Sequence, residues 1–163
     1  MLLNATQAMW FLPFVIPICI WVAWSDIATM KIPNKAVLAL IGVFLIIGLI
    51  AFPFQTWLWQ IPHFLVVLAI GFVLTIAGVM GAGDAKFAAA AAPFILLPDA
   101  INIVALLGIA ALFGFISHRL ARISPIRKLV PHWESWERTK DFPMGYPLAM
   151  TLVAYLALAA SGY

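Results

Sequence analysis

Charge is missing from long stretches of this chain, and that absence constrains its fold more than any other feature. Only 9% of the 163 residues are charged and 66% are hydrophobic, which leaves too few charges to cover a water-facing surface. Six apolar runs stand between short polar breaks, at 8–24, 36–54, 61–80, 84–98, 100–117 and 143–161. A helix crossing the hydrocarbon core needs about 20 residues, and helices satisfy their own backbone hydrogen bonds in lipid. The pattern predicts an all-α integral membrane protein of about six transmembrane helices. It is read as a single membrane-embedded domain, 1–163, with no soluble domain and no internal repeat. The fourth run is short: it needs Gly81 to Asp84 as its entry turn, Pro93 should kink it and Pro98 should end it. Its alanines, 88–92, give it a smooth surface suited to close helix packing.

The basic residues set a topology. Lys31 and Lys35 follow the first run, Lys86 follows the third, and Arg119, Arg122, Arg127, Lys128, Arg138 and Lys140 follow the fifth. The other connections carry no Lys or Arg, so the positive-inside rule puts 25–35, 81–86 and 118–142 in the cytoplasm and both termini outside. Residues 8–24 read as a retained first helix, because no positive n-region or small-residue cleavage site precedes them. The 118–142 stretch, with Trp133 and Trp136 among its charges, suits a segment lying on the membrane surface. The net charge of +3 is clustered in these connections and does not argue for a nucleic-acid partner. Cys19 is the one cysteine, which excludes an intrachain disulfide and a Cys-rich zinc site. His63, His118 and His132 have no ligand spacing. No metal and no cofactor are expected.

Asp26 and Asp84 carry the chemistry in this reading. A carboxylate at the edge of an apolar run is costly and tends to be paired or functional. The charge asymmetry places both on the cytoplasmic side, Asp26 at the end of the first helix and Asp84 at the start of the fourth. If those helices are neighbours, two close carboxyl groups share a proton. The ionised one then activates a water and the protonated one polarises a peptide carbonyl. Gly81 and Gly83 permit positive φ and close backbone approach, so a substrate strand has room beside the pair. A plain Gly-rich turn with Asp84 as helix cap is the competing account. Lys86 either snorkels to headgroups or holds Asp84 ionised. Pro33 breaks the first hairpin and Asn34 is read as N-cap of the second helix. Ser25 and Thr29 are hydroxyls able to bond Asp26 or the backbone. Gly78 loosens the end of the third helix, and Asp99, on the outer side after Pro98, reads as a cap or turn residue.

Asp26 with Lys31-Ile32-Pro33-Asn34, then Gly81-Ala82-Gly83-Asp84-Ala85-Lys86, and finally Pro143-Met144-Gly145-Tyr146-Pro147, resemble the motifs of the type IV prepilin peptidases. These are membrane aspartic proteases of the GxGD class from bacterial inner membranes. The Gly-x-Gly-Asp motif alone is shared with presenilin-like and archaeal preflagellin peptidases, but together the motifs span almost the whole chain. The resemblance implies catalytic roles for Asp26 and Asp84, with Gly81, Gly83, Lys86, Pro33 and Asn34 as supporting motif residues. It implies a prepilin or pseudopilin substrate whose short basic leader is removed at the cytoplasmic face of the inner membrane, just before the substrate's apolar segment. Larger members also N-methylate the product and carry a cytoplasmic insert with paired CxxC motifs. This chain has one cysteine and only the short 25–35 turn there, so methyltransferase activity is not expected. It looks like the short form that serves tight-adherence (Flp-type) pili. Two other classes compete: a small proton- or ion-coupled transporter using Asp26 and Asp84 as a relay, and a scaffold subunit with structural carboxylates. A relay predicts carboxylates deep within spans and often inverted repeats.

Overall fold

The computed structural model describes residues 2–138 and 141–162; Lys140, one of the basic residues used above for topology, lies outside them. The described residues are helical with short connections: α1 Ala5–Thr29, α2 Asn34–Ala51, α3 Phe54–Ile76, α4 Ala82–Ala91, α5 Ala100–Ile123, α6 Ile126–Leu129 and α7 Gly145–Ala160. The all-α expectation holds. Among the described residues, α1, α2, α3 and α5 with its leading turn are long and apolar enough to cross a membrane. α7 is apolar and 16 residues long, and α4 has only ten.

Local chemistry accounts for the helix ends. The α1 N-terminus is closed reciprocally: Asn4 Oδ1 accepts from the Thr6 N–H at 2.9 Å and Gln7 Oε1 accepts from the Asn4 N–H at 3.1 Å, which satisfies donors with no partner inside the helix. Its C-terminus ends on Met30, which has φ 53 and is the one non-glycine with positive φ among the described residues. One expected cap differs. Pro33 occupies the N-cap position of α2 and Asn34 is the first helical residue, because proline's fixed φ suits that boundary and frees the Asn34 side chain for another contact.

The fourth run departs furthest from a simple span. α4 ends at Ala91 and a 3-10 turn, Ala92–Phe94, follows with Pro93 inside it. A second 3-10 turn, Leu97–Asp99, contains Pro98 and leads into α5. Pro93 thus stops the α-helix instead of kinking it, since it cannot donate to the ladder. The freed backbone groups find partners inside the apolar core. Gln60 Nε2 donates to the carbonyls of Pro93 and Ile95, both at 3.0 Å. The Tyr155 hydroxyl accepts from the Leu96 N–H at 3.4 Å. Broken backbone at membrane depth survives only with such internal partners.

Packing follows side-chain size. α1 lies along α7, α4 against α3, α1 against α2, and α5 against α7. Phe11, Phe44, Phe52 and Phe94 form an interlocked aromatic cluster, with Phe11 edge-on to Phe94 at 4.9 Å. α3 and α4 cross so closely that a Cβ on Gly71 would lie 2.8 Å from the Ala85 Cβ. The outer faces of α3 and α5 present bare apolar side chains such as Ile76, Ile109 and Leu112, the surface that lipid would cover. The 118–142 stretch is not a simple surface loop. α5 continues to Ile123, and Trp136 is buried, stacked on the His118 ring at 5.0 Å. Trp133 packs on Trp136 and edge-on to Trp24 of α1. The aromatics, expected at the headgroups, seal this segment onto the bundle.

Candidate functional site

Asp26 sits in the last turn of α1 and is 5% exposed. Its Oδ2 accepts the Gly145 backbone N–H at 2.6 Å, from the first residue of α7. A helix's first N–H groups lack partners within the helix and carry partial positive charge, so they suit a carboxylate. Gly145 must be small here. A Cβ at that position would lie 2.8 Å from Ile32 Cδ1 and 2.9 Å from Asp26 Cγ and Oδ2.

Asp84 lies in the first turn of α4, three residues after its N-cap Gly81. Its carboxyl folds back over Gly81, where a Cβ would come within 2.8 Å of Oδ2. Each of the two carboxylates therefore rests against a glycine. Close approach, not unusual φ, is the property used: Gly81 has φ −68, and positive φ among the glycines is confined to Gly78 and Gly162. Gly78, with φ 73, closes the end of α3: its N–H donates to the Thr75 carbonyl and the Val79 N–H to the Leu74 carbonyl, both at 3.0 Å, while a Cβ on Gly83 would lie 3.4 Å from Ile32 Cβ.

α1 and α4 do not pack extensively on each other; both border α2 and α7 instead. The two aspartates nevertheless line one cavity of about 360 Å³, together with Asn34, Gly81, Gly83 and Lys86. Pro33, Ala85 and the Pro143–Pro147 motif stay out of its wall. No hydrogen bond joins the two carboxyl groups, and the space they border is large enough for a water and a peptide segment. A second cavity of about 400 Å³ meets the first at Gly81 and Asp84 and extends past Met144 and Leu148 to Asp141 and Phe142. Asp84 thus stands between two open spaces.

The remaining polar contacts redistribute the expected roles. Lys86 Nζ donates to Asn34 Oδ1 at 3.4 Å, tying α4 to α2. Among the described residues the ion pairs are Arg138 with Glu134 and with Asp141, so Lys86 does not hold Asp84. Ser25 Oγ donates to the Lys31 carbonyl at 2.9 Å and Thr29 Oγ1 to the Ser25 carbonyl at 2.8 Å. Both serve the backbone of the turn below Asp26. Asp99 ends the 3-10 turn and occupies the N-cap position of α5, as expected, but its carboxylate makes no capping bond. It is 2% exposed and accepts from the Leu2 N–H at 3.1 and 3.0 Å and from the Tyr155 hydroxyl at 2.9 Å. No group of three or more metal-ligating side chains occurs among the described residues.

A comparison with family models decides the class: residues 13–116 match the type IV leader peptidase family. The chain belongs to that family. The match covers Asp26, the α2–α4 region with Asp84, and most of α5. Neither a curated protein nor a solved structure matches the chain. A leader peptidase acts on prepilin-type precursors, and its apolar helices suit a membrane peptidase. Gly145 lies beyond the matched span, yet it supplies the backbone donor to Asp26. The sequence signal for it is the Pro143-Met144-Gly145-Tyr146-Pro147 motif, which points to the segment but not to the hydrogen bond.

Proposed function

We propose that this leader peptidase is an aspartic endopeptidase in which Asp26 and Asp84 form the catalytic pair. The observation that carries this reading is their convergence on one open cavity from two helices that scarcely touch. One carboxylate takes a proton from a water while that water's oxygen attacks the scissile carbonyl carbon. The other carboxyl, protonated, donates a hydrogen bond to the carbonyl oxygen. Collapse of the tetrahedral intermediate breaks the C–N bond, and the leaving amine takes a proton from the acid. No covalent enzyme intermediate forms. The Gly145 N–H steadies the Asp26 carboxylate in this scheme. Gly81 keeps backbone low beside Asp84, where an extended substrate can lie.

The substrate in this reading is a type IV prepilin or pseudopilin of the Flp class, cut at the cytoplasmic face of the inner membrane to release its short basic leader. The clustering of Lys31, Lys35 and Lys86 at the same end as both aspartates supports that orientation. The single cysteine supports a peptidase without the N-methyltransferase function of the larger forms. The test is processing of a Flp-type pilin precursor in membranes, followed by mass. Wild type and Glu137→Gln, an exposed control, should release the leader. Asp26→Asn and Asp84→Asn at equal expression should not. Normal processing by either Asn variant would overturn the pair and favour a relay or structural role for these carboxylates.

A further inference from the structure

At the end of α5 a separate cavity of about 110 Å³ is lined by His118, Arg119, Arg122, Arg138, Asp141 and Phe142. Three guanidiniums thus face one carboxylate. Arg138 is 3.6 Å from Glu134 and 3.8 Å from Asp141, beyond hydrogen-bond length. Arg119 and Arg122 make no ion pair among the described residues. They are three positions apart on α5 and so share a face, and Arg119 is steadied over the Phe115 ring at 5.1 Å. His118 stacks on Trp136 at 5.0 Å, with Phe142 edge-on at 6.1 Å. Its Nε2 is buried without a hydrogen-bond partner among the described residues.

We propose that this cavity binds a phosphate-bearing anion, with Arg119 and Arg122 as the two guanidinium forks. Planar guanidinium groups match phosphate oxygens two at a time. Leu120 and Ile123, 58% and 83% exposed, put apolar surface on the same helix end. That favours a lipid phosphodiester, while inorganic phosphate offers the same oxygens. Asp141 and Phe142 also line the cavity that reaches Asp84, so the anion site shares a wall with the candidate active site.

Native mass spectrometry of the full chain in detergent tests this without reference to peptidase activity. The probes are phosphatidylglycerol, phosphatidylcholine and inorganic phosphate. Wild type should retain phosphatidylglycerol at least about tenfold better than phosphatidylcholine, and Arg119→Gln with Arg122→Gln should abolish the preference. Arg127→Gln with Lys128→Gln removes equal charge from exposed positions outside the cavity and should leave it intact. Equal losses in the two double variants would reduce the effect to surface charge and overturn the site. Retention of phosphate alone, with the same arginine dependence, would keep the site and assign it to the free anion; retention of neither anionic probe would overturn it. Should the glutamine pair fail to fold, the Arg119→Lys, Arg122→Lys pair decides. At least about threefold weaker retention is expected because lysine lacks the fork, and unchanged retention would refute the fork assignment.

Discussion

The two ends of this helix bundle each hold a buried aspartate, and they treat it differently. At one end Asp99 receives the Leu2 N–H and the Tyr155 hydroxyl, and the Tyr155 hydroxyl in turn serves the broken backbone at Leu96. It lines neither of the cavities that meet at Asp84. At the other end Asp26 receives backbone N–H groups from the start of α7 and opens with Asp84 onto empty space. A carboxylate surrounded by donors and denied space is an anchor. A carboxylate beside space is available to a substrate. Both are buried acids at helix ends, so burial alone does not separate an anchor from a candidate catalytic group; the adjoining volume does.

Substitutions at the two ends should separate rate from stability. The largest effect is expected for Asp26→Asn and Asp84→Asn: leader cleavage falls by at least about a thousandfold while thermal unfolding in detergent hardly moves. Asp99→Asn and Tyr155→Phe should do the reverse. Stability drops by about 1–3 kcal/mol for each partner lost, and cleavage per folded molecule stays near wild type. If Asp99→Asn abolished cleavage in a folded protein, the contrast between the ends would fail.

Gly145→Ala sharpens the contrast from the α7 side. A Cβ there displaces the Asp26 carboxyl, and a misplacement of about 1 Å lowers cleavage by about a hundredfold. Gly81→Ala should do the same to Asp84, read as kcat with binding of the precursor measured separately. Gln60→Leu leaves the Pro93 and Ile95 carbonyls without their donor. It should cost about 1–3 kcal/mol in unfolding experiments and spare the rate per folded molecule. The smallest change is Met30→Gly. A left-handed residue with a side chain is strained by about 1–2 kcal/mol, so this variant should unfold later by a degree or a few, unless the loosened turn lets Asp26 drift.

The open end was the more legible in sequence. Asp26, Asp84 and Lys86 interrupt apolar runs, and their spacing from glycine and proline carries the motif, so charge and pattern alone point to them. The closed end was hidden because Gln60 and Tyr155 are single polar groups within helices whose neighbours are apolar. Nothing local tells Gln60 that a proline 33 positions away will leave carbonyls unpaired. For the same reason the fourth run looked like a short span. Its hydropathy matches a crossing helix, and the break at Pro93 is tolerated only because distant side chains satisfy it. The packing of Trp133 and Trp136 on the bundle is not legible locally either, since amphipathic rings suit a headgroup layer and a helix-sealing contact equally well. Gly145 lay in a recognised motif, but its role depends on an N–H that no side-chain pattern records.

The bond from Gly145 to Asp26 joins residues 119 positions apart, and its consequence is temporal. During synthesis α1 enters the membrane long before α7 exists. Until the last helix arrives, Asp26 has no backbone donor and α4 has lost one of the walls that positions Asp84. A ribosome-bound chain without α7 therefore leaves Asp26 unheld, and on the proposed pairing of Asp26 with Asp84 the site is complete only after α7 has docked.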